Sequence, residues 1–124
     1  MINTLSKGSV RKNTGKINDV NDKNVTIYNY AGGTVGKSDD AWGVRACTVW
    51  NMGGIVQGYS SYADNVKVYN FEGGTVSNLR KGSVIYNLGG TVTDSSTAQV
   101  LNCYKVNINS SFVETWNDKF IINP

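Results

Sequence analysis

In the stretch GKSDDAWGVRA, residues 36–46, two carboxylates stand side by side ahead of a tryptophan and an arginine. Asp39 and Asp40 beside Trp42 are the residue types of glycosidase chemistry. Hydrolysis of that kind needs its carboxyls on opposite sides of the scissile bond, about 5 to 9 Å apart. Sequence neighbours do not provide this, and no second acid recurs at a fixed place in the chain. The stretch reads better as a binding loop. Trp42 and Arg45 would be its anchors, since loops on rigid scaffolds carry binding residues and interfaces favour these two types. The competing reading is a solvated loop whose Trp42 folds back on the core.

Other chemistry is poorly supplied. The chain contains no histidine, so no Ser–His or Cys–His pair can form. Cys47 and Cys103 are far apart in sequence and make no CxxC, which disfavours a metal site. No GxxxxGK[ST] phosphate loop occurs. The expectation is a protein that is not an enzyme, with no cofactor, no metal and no catalytic residues.

A stronger candidate is aromatic. Tyr28, Trp50, Tyr69 and Tyr86 each directly precede an asparagine, in VTIYNYAGGTV, CTVWNMGGIV, VKVYNFEGGTV and SVIYNLGGTV. If they point outward as one column, they form a platform for sugar rings, unstacked bases or an apolar patch on another protein. The plainer reading is a stack that only stabilises the fold. Lys12 falls one repeat earlier and is placed to lie over Tyr28 as a cation on a ring.

The elements that must position this column follow from the repetition. Aligned on asparagine, the copies place Asn29, Asn51, Asn70 and Asn87 in one column, with degenerate copies adding Asn13 and Asn102. The spacings are 16, 22, 19, 17 and 15 residues. Ile27, Val49, Val68, Ile85 and Val100 sit two before the asparagine. Tyr30, Met52, Phe71, Leu88 and Cys103 follow it. Ile17, Val35, Val56, Val76, Val92 and Val106 close each unit. Strand side chains alternate faces, so Ile27 inward sets Tyr28 outward. A bend at asparagine, which tolerates left-handed geometry, would then turn Tyr30 inward again. Units this short cannot fold alone. Stacked, each strand pairs with its copy about 4.8 Å above, and a buried asparagine column satisfies its own amides. About six coils spanning residues 8–108 would make a rod roughly 25 to 30 Å long.

The YNxxGGTV coils resemble the rungs of parallel β-helix proteins such as bacterial adhesins and phage tail or spike modules. The resemblance implies an all-β, single-domain solenoid. It implies no activity, because that family includes enzymes, adhesins and inert scaffolds. The structural alternative is a β-sandwich or barrel of hairpins, which regular strand spacing also fits. Hairpins, however, pair unlike neighbours and do not demand the same residue in every copy.

Solenoid ends must be closed against polymerisation. GSVRKN aligned with GSVIYN puts Arg11 and Lys12 in place of an apolar pair, a polar N-terminal cap. Residues 109–124 form the C-terminal cap. There Ser111 and Glu114 have capping-box spacing, and Phe112, Val113, Trp116 and Phe120 share a helical face. A short helix is slightly favoured over an extended strand. Three rungs separate Cys47 from Cys103, beyond the roughly 7 Å that a disulfide spans, so both are read as free and buried. Threonines recur at Thr34, Thr75 and Thr91, and at Thr26 and Thr48. Both columns are too interrupted for an ice-ordering array.

A hydrophobic fraction of 40% excludes wholesale disorder. A net charge of +3 permits an acidic partner without demanding one. No apolar run reaches the roughly 18 residues of a membrane helix, and MINTLSKGSV lacks the apolar core of a signal peptide. The expectation is a cytoplasmic or virion-associated binding or structural module, such as a phage component or an inhibitor of a host enzyme. Its partner is macromolecular and not a membrane: protein first, glycan second, single-stranded nucleic acid third. Monomer and homo-oligomer both remain open.

Overall fold

The computed structural model describes residues 2, 4–5, 8–36, 43–58, 63–105 and 120–123. The chain winds through three faces. The first face is built from β1 (Ser9–Asn13), β4 (Thr26–Tyr30), β7 (Thr48–Met52), β9 (Lys67–Phe71), β11 (Val84–Leu88) and β13 (Gln99–Lys105), stacked parallel in that order. The second is β2 (Lys16–Ile17), β5 (Thr34–Gly36), β8 (Ile55–Gln57), β10 (Thr75–Ser77) and β12 (Thr91–Thr93), also parallel. The third holds β3 (Asp19–Asn21) against β6 (Gly43–Arg45). This is a parallel β-solenoid. The first face has the six copies read from sequence, but the others have fewer strands, so the coil makes about four full turns rather than six.

Register follows the repeat. Asn13 pairs with Asn29, Asn29 with Asn51, Asn51 with Asn70, Asn70 with Asn87 and Asn87 with Asn102. The closing column runs Ile17, Val35, Val56, Val76, Val92. One core fills the interior. Ile27, Val49, Val68 and Ile85 project from the first face, Ile17, Val35, Val56 and Val76 from the second, and Val20 and Val44 from the third, all at 0% exposure. Branched residues suit a space bounded by strands on every side. Where the corner column Val25, Cys47, Val66 ends in Ser83, its buried hydroxyl accepts the Val66 N–H at 3.1 Å and donates to the Ala63 carbonyl at 3.1 Å. A polar group is tolerated in the core because it is fully partnered.

Three expectations need correction. The chain does not bend at asparagine. Burial alternates without interruption through β4 and β7, with Ile27, Asn29, Val49 and Asn51 inward and Tyr28, Tyr30, Trp50 and Met52 outward. The bend falls at the first glycine of each pair, Gly32, Gly53, Gly73 and Gly89, with φ of 89°, 101°, 84° and 79°. Glycine enters that region without steric cost, so the strand stays straight until it arrives there.

The N-terminal end is not a purely polar cap. A bulge between Val10 and Asn13 sets both Arg11 and Lys12 opposite Tyr28 and puts Val10 opposite Ile27. Val10, not Arg11, therefore enters the interior column and packs on the core. Below it, Ile2 bridges to Ile17 and Leu5 to Val20, so the apolar columns extend below residue 8. The C-terminal end is also different. β14 (Phe120–Asn123) lies antiparallel on β13, so Phe120 belongs to a strand and not to a helical face. Phe112, Val113, Trp116, Ser111, Glu114 and Val106 lie outside the described residues.

Candidate binding face on the first sheet

The two residues of each Gly-Gly pair have different tasks. The first makes the turn. The second, at Gly33, Gly54, Gly74 and Gly90, lies so close to the asparagine amides that a Cβ would overlap them. The asparagines fill that space as a hydrogen-bonded row. Asn13 Nδ2 donates to Asn29 Oδ1 at 2.8 Å, Asn29 to Asn51 at 2.9 Å, Asn51 to Asn70 at 2.9 Å and Asn70 to Asn87 at 3.0 Å. Each amide also reaches a nearby glycine carbonyl, as Asn51 does to Gly54 at 2.9 Å. This row fixes the vertical spacing of β4, β7, β9 and β11, and so of whatever they carry outward.

They carry the predicted aromatic column. Tyr28 and Trp50 stack with centroids 6.1 Å apart and planes 9° from parallel; Trp50 and Tyr69 at 4.0 Å and 15°; Tyr69 and Tyr86 at 5.0 Å and 12°. Tyr69, sandwiched between two rings, is only 7% exposed, and burial with Tyr86 beside it raises its phenol pKa above the ordinary value. Each stacked pair contributes about 0.5–1.5 kcal/mol beyond its buried area.

A second column runs beside the first and was placed in the core on sequence grounds. Tyr30, Met52, Phe71 and Leu88 stand on the outer side of the sheet too, with Phe71 only 6% exposed under its neighbours. Phe71 lies 6.3 Å from Trp50, and Met52 and Leu88 pack on the Tyr69–Phe71 cluster. Unbroken period-two alternation was the signal that would have found them. Lys12 lies over this second column, with Nζ 5.8 Å from the Tyr30 ring, rather than over Tyr28.

The geometry restricts what this face can hold. Rings stacked along the coil present their flat sides to one another. Both sides of Trp50 and both sides of Tyr69 are taken by neighbours. Edges, hydroxyls and the Met52 and Leu88 side chains are what solvent meets. A sugar or a base that must lie flat on a ring finds no free flat side on the inner two.

Arg45 is elsewhere. It stands on β6 of the third face, where its guanidinium pairs with Asp19 at 3.8 Å. Asp39, Asp40 and Trp42 lie outside the described residues. Cys47 is fully buried and unbridged, and burial pushes its thiol up to about 12. The Cys103 side chain lies outside the described part. Lys16, Thr34, Ile55, Thr75 and Thr91 line up on the second face, an order in which Ile55 interrupts the threonines. Beyond the last rung of the second face is an open cleft of about 560 Å³ that reaches Asn87, Asp94, Val100 and Asn102. Among the described residues no helix is long and apolar enough to cross a membrane, and no three His, Cys, Asp or Glu side chains are grouped to hold a metal ion. Compared with protein-family models, curated proteins and solved structures, the chain matches none.

Proposed function

We propose that this protein is a non-enzymatic binding module that docks on a protein partner through the outward face of its first sheet. One observation carries the proposal. Across four consecutive rungs, Tyr28, Trp50, Tyr69 and Tyr86 stand beside Tyr30, Met52, Phe71 and Leu88, with no polar side chain between the two columns. Tyr28, Tyr30, Trp50, Met52, Tyr86 and Leu88 are each partly exposed around the buried Tyr69 and Phe71; apolar patches on a rigid scaffold mark interaction sites, and Tyr, Trp and Met are interface residues. A protein surface accepts ring edges and phenol hydroxyls, whereas a glycan or a single strand of nucleic acid that stacks on aromatics needs flat ring faces.

A small rigid module of this kind works by occupying a surface, as an inhibitor of a host enzyme or a structural piece of a phage particle does. The test is affinity capture with the native chain beside Met52→Lys and Tyr86→Lys, each checked for native circular dichroism. A stoichiometric partner retained by the native chain and lost by both variants is the expected result. A partner retained equally by all three would remove this face from the proposal.

A further inference from the structure

The docking face has a charge pattern of its own. On β1, β4, β7, β9 and β11 the only charged residues are Arg11, Lys12 and Lys67; no carboxylate occurs on any of the five strands. All three cations are exposed. The described acids lie off these strands: Asp19 is paired with Arg45 on the third face, Asp22 accepts the Asn24 N–H in a turn, Asp94 follows β12, and Asp64 and Glu72 flank β9, three residues before it and directly after it. The bulge adds to this separation. By inserting one extra residue it places two cations, instead of one, at the foot of the aromatic columns, and Lys12 is held there over Tyr30.

We infer that the partner surface is acidic, with carboxylates that meet the Arg11–Lys12 bulge while apolar side chains meet the aromatic columns. The inference rests on the docking face proposed above and adds the partner's chemistry. A second copy of this chain is a poor occupant of the face, because its own five strands bring no carboxylate to meet Arg11, Lys12 and Lys67, and unmatched charge across an interface opposes association. Carboxylates beside aromatic or aliphatic groups satisfy both halves of the surface. Arginine also binds a carboxylate through two parallel hydrogen bonds.

The probe is a random copolymer of glutamate and tyrosine, titrated against the native chain by tryptophan fluorescence and calorimetry. Polyglutamate, polylysine and a single-stranded oligonucleotide serve as comparisons. The native chain is expected to bind the copolymer more tightly than polyglutamate and to ignore polylysine. Arg11→Glu/Lys12→Glu should weaken binding about tenfold or more, Arg11→Gln/Lys12→Gln should weaken it less, and about 0.5 M salt should mimic the neutral variant. Both residues are exposed, so both variants should keep the native circular dichroism. Unchanged affinity in the charge-reversed variant, no copolymer binding, or an oligonucleotide bound as tightly as the copolymer would each overturn the inference. Loss of the captured partner with Met52→Lys but not with Arg11→Glu/Lys12→Glu would sink the acidic partner and leave the docking face standing.

Discussion

Ala46 occupies a conformation it has little reason to adopt. Its φ is 61°, at the corner that precedes the first face, where Asn65 and Gly82 make the same left-handed turn at 58° and 81°. The left-handed region costs an L-residue about 1–2 kcal/mol, and glycine's extra unfolded freedom offsets part of that. Ala46→Gly should therefore raise stability by roughly 0.5–1 kcal/mol in urea denaturation; a loss would mean that the alanine methyl contributes packing. Gly54→Ala should do the opposite. Its Cβ would overlap the Asn29 amide and the Tyr30 carbonyl, and a cost of about 2–3 kcal/mol is expected from such crowding. Cys47 supplies a pH prediction. With its folded pKa raised from 9.0 to about 12 by burial, both states keep the proton below pH 9. Between those values only the unfolded chain releases it, so stability should fall by about 1.4 kcal/mol per pH unit. Cys47→Val, which copies Val25 and Val66 of the same column, should flatten that part of the curve. At this scale the sequence misled in one place. GSVRKN and GSVIYN have equal length, so alignment put Arg11 in the core column. Burying an unpaired guanidinium costs far more than one bulge, and the chain shifts Val10 inward instead.

The asparagine row is the element most legible in the sequence. Recurrence of Asn29, Asn51, Asn70 and Asn87 in like surroundings gave the register, because only parallel stacking makes identical residues neighbours. It left the turning point open, since asparagine and glycine both tolerate the left-handed region, and Tyr30, Met52, Phe71 and Leu88 were misdirected inward as a result. The loop of Asp39, Asp40 and Trp42 had no repeat to fix it. Asn51→Ala should cost about 2–4 kcal/mol, because it leaves Asn70 Oδ1 without its donor and Asn29 Nδ2 short of an acceptor inside the core. Asn87→Ala, at a half-buried position that water can reach, should cost about 1 kcal/mol. Equal losses in equilibrium denaturation would mean that the row is not the source of the difference. The aromatic element predicts a negative result: with the flat sides of Trp50 and Tyr69 covered, tryptophan emission should stay constant across a panel of neutral oligosaccharides. A saturable shift would show that the outer rings Tyr28 and Tyr86 suffice for sugar binding.

At the scale of the whole molecule, all parallel strand pairs join adjacent coils. Stability in such a stack is a sum of neighbour terms. A second copy of residues 66–82 inserted after Gly82 should fold as one added coil, lengthening the particle by about 4.8 Å in solution scattering without lowering its melting temperature. A marked drop would mean that the two ends, with Ile2 and Leu5 below and β14 above, depend on each other through more than their neighbours. The hydrogen bonds of the asparagine row also run one way. From Asn13 to Asn87 each NH₂ points toward the C-terminal end and each carbonyl toward the base. Amide dipoles of roughly 3.5 D apiece, taken from the peptide group, therefore add along the axis instead of cancelling. The row thus has its negative pole at Asn13, where it favours the neighbouring Arg11 and Lys12 cations as a helix C-terminus favours a lysine, and its positive pole at Asn87, where the same cations would be opposed.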